Sequence, residues 1–357
     1  MTLPPISSIP EIDSLLAEGA PVAIGVSGGK DSQAAAIATI AHLDSIGHKG
    51  PRVLVHSDLG DVEWHESLPV CERLAARLGV ELIVVARKAG GLMQRWERRW
   101  ELSAQRYAEM ETVTLVPCWS TPSMRFCTSE LKTHVIVAEL KRRYPGQVVV
   151  NVTGVRREES VARSRGSIAD RSADGRLWNW RPISDWTQAQ VFASIHASGL
   201  APHQAYVEFG MTRVSCRFCI MSSLHDLHAA AAVPESHDLF RRMVALETAS
   251  TFAFQGARWL GDIAPQILSD ADRAAFLNAK ERAAERVAVE STLPRELLYT
   301  KGWPTFVPSV EQAELLAGVR RRVTEIVGLE NVGFLDADSL RARYADLMER
   351  KAAKLAA

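Results

Sequence analysis

From residue 27 the chain reads Ser-Gly-Gly-Lys-Asp-Ser, six residues of types that suit anion binding. Gly28 and Gly29 lack side chains that would keep backbone N–H groups away from an anion, and glycine also tolerates positive φ. Lys30 adds a point charge, and Ser27 and Ser32 add hydroxyl donors. Asp31 is the discordant member. Beside a phosphate it repels, unless it caps the following helix or holds Mg²⁺. The string sits between an apolar strand-like run, Pro21 to Val26, and an apolar helix-like run, Gln33 to Ile46. Free N–H groups and the dipole at a helix start favour a phosphate there. The Walker A spacing, G-x-x-x-x-G-K followed by Ser or Thr, is absent.

A second group of reactive residues is sulfur. Cys118 and Cys127 form C-x8-C, and Cys216 and Cys219 form C-x2-C. Two such pairs can supply four thiolates to one metal centre, and spacing alone does not separate Zn²⁺ from an iron-sulfur cluster. A redox-active C-x-x-C and unrelated buried thiols are the competing readings. Cys71 reads as core packing, and His225 and His228 read as helix surface. Five cysteines, an odd number in so long a chain, do not read as a disulfide framework.

The elements that must position these groups are legible as alternating patterns. Pro21–Val26, Arg52–Asp58, Glu81–Arg87 and Gln147–Val155 read as strands, with helices predicted over 33–46, 64–78 and 129–144. Such alternation predicts an α/β fold with a parallel sheet, whose ligands bind beyond the carboxyl ends of the strands. From about Ser222 the pattern turns helical. Val319, Val323, Ile326 and Val327 make one apolar face, and Leu340, Tyr344 and Leu347 another. The expected division is 1–225 for the nucleotide-binding domain with its cysteine site and 226–357 for a mainly helical C-terminal region. Those helices are expected to pack on the sheet or to dock a partner or a second copy. Lys plus Arg equals Asp plus Glu at 42 each, so net charge points to neither nucleic acid nor membrane. No secretory signal or membrane-length apolar run is evident, and a cytoplasmic protein without membrane contact is expected. Basic stretches at Arg95–Trp100, Lys141–Tyr144 and Arg163–Gly166 suit a nucleic-acid backbone but also suit solvated surface.

The motifs also resemble a known family. "SGGKDS" is similar to the PP-loop of the ATP pyrophosphatases. "VHSDLGDVEWHES", "RFCTSELK", "VTGVRREESVAR" and "RPISDWTQAQVFASI" resemble, in order, motifs of the phosphoadenosine phosphosulfate (PAPS) reductase family. The resemblance implies a Rossmann-like adenine nucleotide α-hydrolase fold with a five-stranded parallel sheet. Carried over by position, it implies that Ser27, Gly28, Gly29, Lys30, Asp31 and Ser32 hold pyrophosphate, with Lys30 and Asp31 catalytic. Ser57 and Asp58 would lie near ribose and adenine, and Lys132, Arg156 and Arg157 would face the nucleotide or an anionic acceptor. Sulfonucleotide reductases of the family act through a cysteine in a C-terminal segment resembling E-C-G-L/I-H. Here no cysteine follows Cys219. That departure and the intact loop imply ATP as substrate, and "FCT" where the assimilatory reductases show paired cysteines, with the lost C-terminal cysteine, leans toward the branch of the DndC-type ATP pyrophosphatases of DNA phosphorothioation and the related Ssp systems. The resemblance then implies ATP with Mg²⁺, a 4Fe-4S cluster on Cys118, Cys127, Cys216 and Cys219 (Zn²⁺ as alternative), and a cysteine desulfurase as sulfur donor. It also implies DNA as acceptor, met directly or through a DNA-binding partner. A reductase using an external thiol and a nucleotide-binding scaffold with structural zinc are the other readings.

Overall fold

Val22–Val26 (β1), Arg52–Asp58 (β2), Glu81–Ala86 (β3) and Val149–Val152 (β4) form as the apolar runs dictate. The computed structural model describes residues 3–356. β1 lies between β2 and β4 and is parallel to both, with Val26 opposite His56 and Ile24 opposite Val152. β3 adds to β2 in parallel. Beyond β4 the sheet differs from the expected five parallel strands. Ala169–Arg171 (β5) and Leu177–Trp180 (β6) make a hairpin, so the sheet has six strands in the order β3-β2-β1-β4-β6-β5, with β5 antiparallel. The turn between them holds Asp174-Gly175, with Gly175 at φ +71°, a hairpin signal within a run too short and polar to read as a strand.

The order carries the functional consequence. The chain runs outward from β1 to β2 and β3, then returns to the opposite side of β1 as β4. The point where the strand order reverses therefore lies between β1 and β4, which is where sheets of this kind place a ligand beyond the strands' carboxyl ends.

Pro10–Ala17 (α1), Lys30–Ser45 (α2) and Ser67–Leu78 (α3) serve the same sheet. α2 is rich in alanine, and Ala34, Ala35, Ala36 and Ala38 are buried with Val22, Ile24 and Val152. Small side chains bring its axis close to the strands. Leu92–Ala108 (α4) follows β3.

The described chain divides into two compact units, one of residues 3–93 and 122–236, the other of 94–121 and 237–356. The second is helical. Ser309 caps helix Val310–Val327 through the N–H of Gln312, Gln312 returns the bond, and Gly328 ends the helix in the left-handed conformation. Its buried face carries Val319, Val323, Ile326 and Val327 against Leu340 and Tyr344 of helix Ala337–Ala356. These are the faces the periodicity predicts, except that Leu347 is only half-buried. Among the described residues no helix is long and apolar enough to cross a membrane.

Candidate nucleotide and thiol site

β1 ends at Val26 and α2 begins at Lys30, so the chain must reverse within three residues. Gly28 makes this possible. Its φ is +75°, and a Cβ there would stand 2.9 Å from the carbonyl oxygen of Ser67. Ser27 N–H donates to Ser32 Oγ (3.2 Å), and Ser32 Oγ donates to the Gly29 carbonyl (2.8 Å), which closes the loop on itself. Buried Gln33 pins it from below by donating Nε2–H to the Gly28 carbonyl at 3.0 Å. The cap position of α2 is Gly29, with no side-chain cap. No residue at the cap position therefore accepts from its first turn, although the Lys30 N–H finds an acceptor in Tyr206 Oη at 3.3 Å.

The structure resolves the discordant aspartate. Asp31 neither caps α2 nor stands alone beside the loop. One carboxylate oxygen takes Lys30 Nζ at 3.0 Å, and the other takes Arg156 Nε at 2.6 Å. Both cations are buried, and charges this far from water persist only when paired. Arg156 also bonds Glu158 and the Trp186 carbonyl (3.3 Å), and these carboxylates hold its guanidinium firmly charged against the penalty of burial. Arg156 reaches Asp31 because Gly154 lets the backbones touch: a Cβ on Gly154 would fall 2.4 Å from the Asp31 carbonyl oxygen. With both oxygens engaged by cations, Asp31 works as the anchor of Lys30.

The remaining expected side chains are distributed differently. Ser57 is buried and donates its hydroxyl to the Leu131 carbonyl, while Asp58 accepts the Gly60 N–H at 2.7 Å and so shapes the turn after β2. Lys132 lies in a π-helical turn, Ser129–Thr133, and its charge acts on Cys216. Arg157 pairs with Asp185. It lines a cavity of about 200 Å³ with Arg163 and Arg181, but those two are paired with Glu159 and Asp170, so the three guanidiniums bring no uncompensated charge.

Of the four cysteines, Cys127, Cys216 and Cys219 belong to the first unit. Burial pushes the Cys216 thiol up, and Cys219 and Cys127 push in the same direction, while Lys132 opposes them. Cys219 Sγ accepts the Met221 N–H at 3.4 Å. Thiolates are the donor type that an iron-sulfur cluster or Zn²⁺ takes. Their side chains are not drawn around a common point: among the described residues no three ligand-type groups are arranged for a metal. Cys118 belongs to the second unit, where its thiol, buried and pushed up to about 12 by that burial, lies 3.8 Å from Ser250 Oγ. Cys71 is buried, as expected, 3.8 Å from His56 Nδ1. His225 and His228 are exposed.

Sequence reasoning missed the residues that brace the loop from the far end of the first unit. His203 is buried, its Nδ1 accepts the Ala205 N–H (3.0 Å), and its ring edge faces Gly28. Burial lowers its pKa to about 4, so it is neutral and Nε2 carries the proton toward Ser67 Oγ, 3.4 Å away. Tyr206 stands over Lys30, with Nζ 5.2 Å from the ring centroid, and its hydroxyl accepts the Lys30 N–H at 3.3 Å. Neither residue lies in a recognisable motif. Only the apolar spacing around "HQAYVEFG" marks the segment.

Residues 21–222 match the model of the phosphoadenosine phosphosulfate reductase domain. An Escherichia phage 186 protein, described as an uncharacterized 37.8 kDa protein in the gpa 5' region, is 30% identical over 237 residues, covering 57% of this chain and 68% of its own length. Among solved structures, the PAPS reductase of Candida auris in its phosphate complex is 16% identical at a TM-score of 0.36, over 60% of this chain and 98% of its own. The U34-tRNA thiolase NcsA of Methanococcus maripaludis with its 4Fe-4S cluster is 12% identical at 0.39, over 83% and 84%. The NAD+ synthetase of Burkholderia pseudomallei is 13% identical at 0.34, over 79% and 86%. At those scores the structural likeness is loose, and the assignment rests on the sequence match.

Proposed function

The chain belongs to the PAPS reductase family, and from that premise we propose that it is an ATP pyrophosphatase that adenylates an oxyanion acceptor for sulfur transfer. The observation that carries this reading is the loop itself: a tight glycine turn, a helix start with glycine at its cap position, and a buried lysine held in place by an aspartate that an arginine also grips. Such a site favours a pyrophosphate more than any neutral ligand.

In the proposed reaction an acceptor oxygen attacks the α-phosphorus of ATP, and the bond from that phosphorus to the β-phosphate oxygen breaks. Charge develops on the departing pyrophosphate. Lys30 and the first-turn N–H groups of α2 that Tyr206 does not take would stabilise it by position and electrostatics. Magnesium enters as part of the nucleotide substrate. Sulfur, delivered as a persulfide by a cysteine desulfurase, would then displace AMP, and an external thiol would cleave the remaining S–S bond, leaving one sulfur on the acceptor and a disulfide as the oxidised product; DNA is the acceptor class we favour. A 4Fe-4S cluster would supply sulfur relay when bound, and Cys127, Cys216 and Cys219 are the thiols of the first unit that would hold it.

The test is calorimetric binding of Mg-ATP followed by anaerobic pyrophosphate release with DNA and desulfurase present. ATP-dependent pyrophosphate release that depends on Lys30 supports the reading. Absence of nucleotide binding by metal-replete protein ends it, and sulfite release from PAPS without pyrophosphate from ATP would replace it with a reductase. Visible thiolate-to-iron absorbance in an anaerobic preparation separates a cluster from zinc.

A further inference from the structure

A tyrosine hydroxyl has one proton to give and two lone pairs with which to accept. Tyr206 Oη accepts from two backbone groups, the Lys30 N–H at 3.3 Å and the Val214 N–H at 3.2 Å. Both lone pairs are thereby spent. The proton is not, for no acceptor takes it among the described residues.

The unspent donor lies beside the space that Gly29 leaves open. The Cβ that Gly29 lacks would lie 3.6 Å from Ser27 Oγ, 3.7 Å from Tyr206 Oη and 3.7 Å from the Val214 carbonyl oxygen. Three oxygens thus border the space that the glycine leaves open, and two of them are hydroxyls. The Tyr206 ring is fixed edge-on against Phe192, with centroids 5.6 Å apart at 89°, and beneath the Lys30 ammonium. Burial raises the phenol to about 12, so the proton stays on the oxygen at any working pH.

We propose that Tyr206 is a phosphate-binding residue of the loop, donating its O–H to an oxygen of a pyrophosphate-bearing ligand held above Gly29. This rests on the reading of the loop as a pyrophosphate site and adds to it a residue 176 positions from Lys30. The same hydroxyl ties the loop to the Val214 segment just before Cys216, so the ligand contact and the thiol-bearing turn share one side chain.

Calorimetry on the full chain and on Tyr206→Phe, with Mg-ATP, inorganic pyrophosphate and AMP as probes, decides the matter. A hydrogen bond to a charged oxygen is worth roughly tenfold or more in affinity. The variant is expected to bind ATP and pyrophosphate about tenfold more weakly, with AMP changed by less than about twofold. Unchanged affinity for all three overturns the proposal, as does tighter binding, which would make the hydroxyl a plug. Equal weakening for all three also overturns it, because that is what a merely structural tether would give. If the parent protein binds neither ATP nor pyrophosphate, the reading of the loop itself falls, a result distinct from a parent that binds and a variant that matches it. Should the variant fail to fold, a crystal structure of the parent with pyrophosphate serves instead. Oη hydrogen-bonded to a phosphate oxygen is expected, and Oη beyond hydrogen-bond reach overturns the assignment.

Discussion

Arg156 and Arg320 are both buried arginines, one in each unit, and they are used in opposite ways. Arg320 gives its N–H groups to backbone carbonyls of Phe334 (3.0 Å), Tyr107 (2.9 Å) and Gly333 (2.8 Å), and its guanidinium stacks 4.5 Å over the Tyr107 ring. Arg156 spends its charge mainly on carboxylates, one of which orients the lysine of a loop. The buried carboxylates divide likewise. Glu247 of the second unit accepts N–H groups of Phe254, Leu260 and Gly261 at 2.8, 2.8 and 3.1 Å, whereas Asp31 accepts two cations. Charges satisfied by backbone lock a chain trace. Charges satisfied by other charges, beside a space with a donor left over, hold a site ready for a ligand.

The contrast breaks most visibly at Lys30. Lys30→Ala is expected to lower pyrophosphate release about 100-fold while the melting temperature stays near that of the parent, as read by a release assay beside calorimetric melting. Arg320→Met should do the reverse. Three carbonyls lose their donors, so urea unfolding should show a loss of about 3 kcal/mol or more, with ATP affinity unchanged. A loss of ATP affinity there would dissolve the division of roles.

Next in size is a dependence on pH. Burial raises Glu247 to about 7 despite its three N–H partners, above the unfolded carboxylate near 4.5. The folded state therefore binds the extra proton between those values. The stability this group contributes is full below about pH 4.5 and is lost as pH rises through 7, by at most about 3 kcal/mol. Glu247→Gln, which does not titrate, should flatten that part of a plot of unfolding free energy against pH. His203 works with the opposite sign, its folded value near 4 lying below the unfolded 6.5, so its share is lost as pH falls through that window. The smallest effect belongs to Arg157, whose pair with Asp185 is exposed. Arg157→Ala should change stability by less than about 1 kcal/mol, and a large fall in pyrophosphate release would instead assign Arg157 to the acceptor.

The strands β1 to β4 and the loop were legible because apolar runs and glycines report backbone demands directly. The hairpin of β5 and β6 was not, since Ala-Asp-Arg carries no strand signal and is held by its partner strand. Site chemistry was legible in part. "SGGKDS" names its own residues, but nothing local tells that Asp31 anchors Lys30, that Ser57 is spent on Leu131, or that Tyr206 arrives from far along the chain. The discontinuity of the second unit, which takes in residues 94–121, is equally invisible to periodicity, because α4 is amphipathic wherever it packs.

The hairpin has one more effect. A strand three residues long bearing Asp170 and Arg171, with Asp170 tied to Arg181 and Asn179, offers a newcomer almost no ladder to join. The shortness and charge of this segment thus disfavour extension of the sheet by a neighbouring chain at that margin.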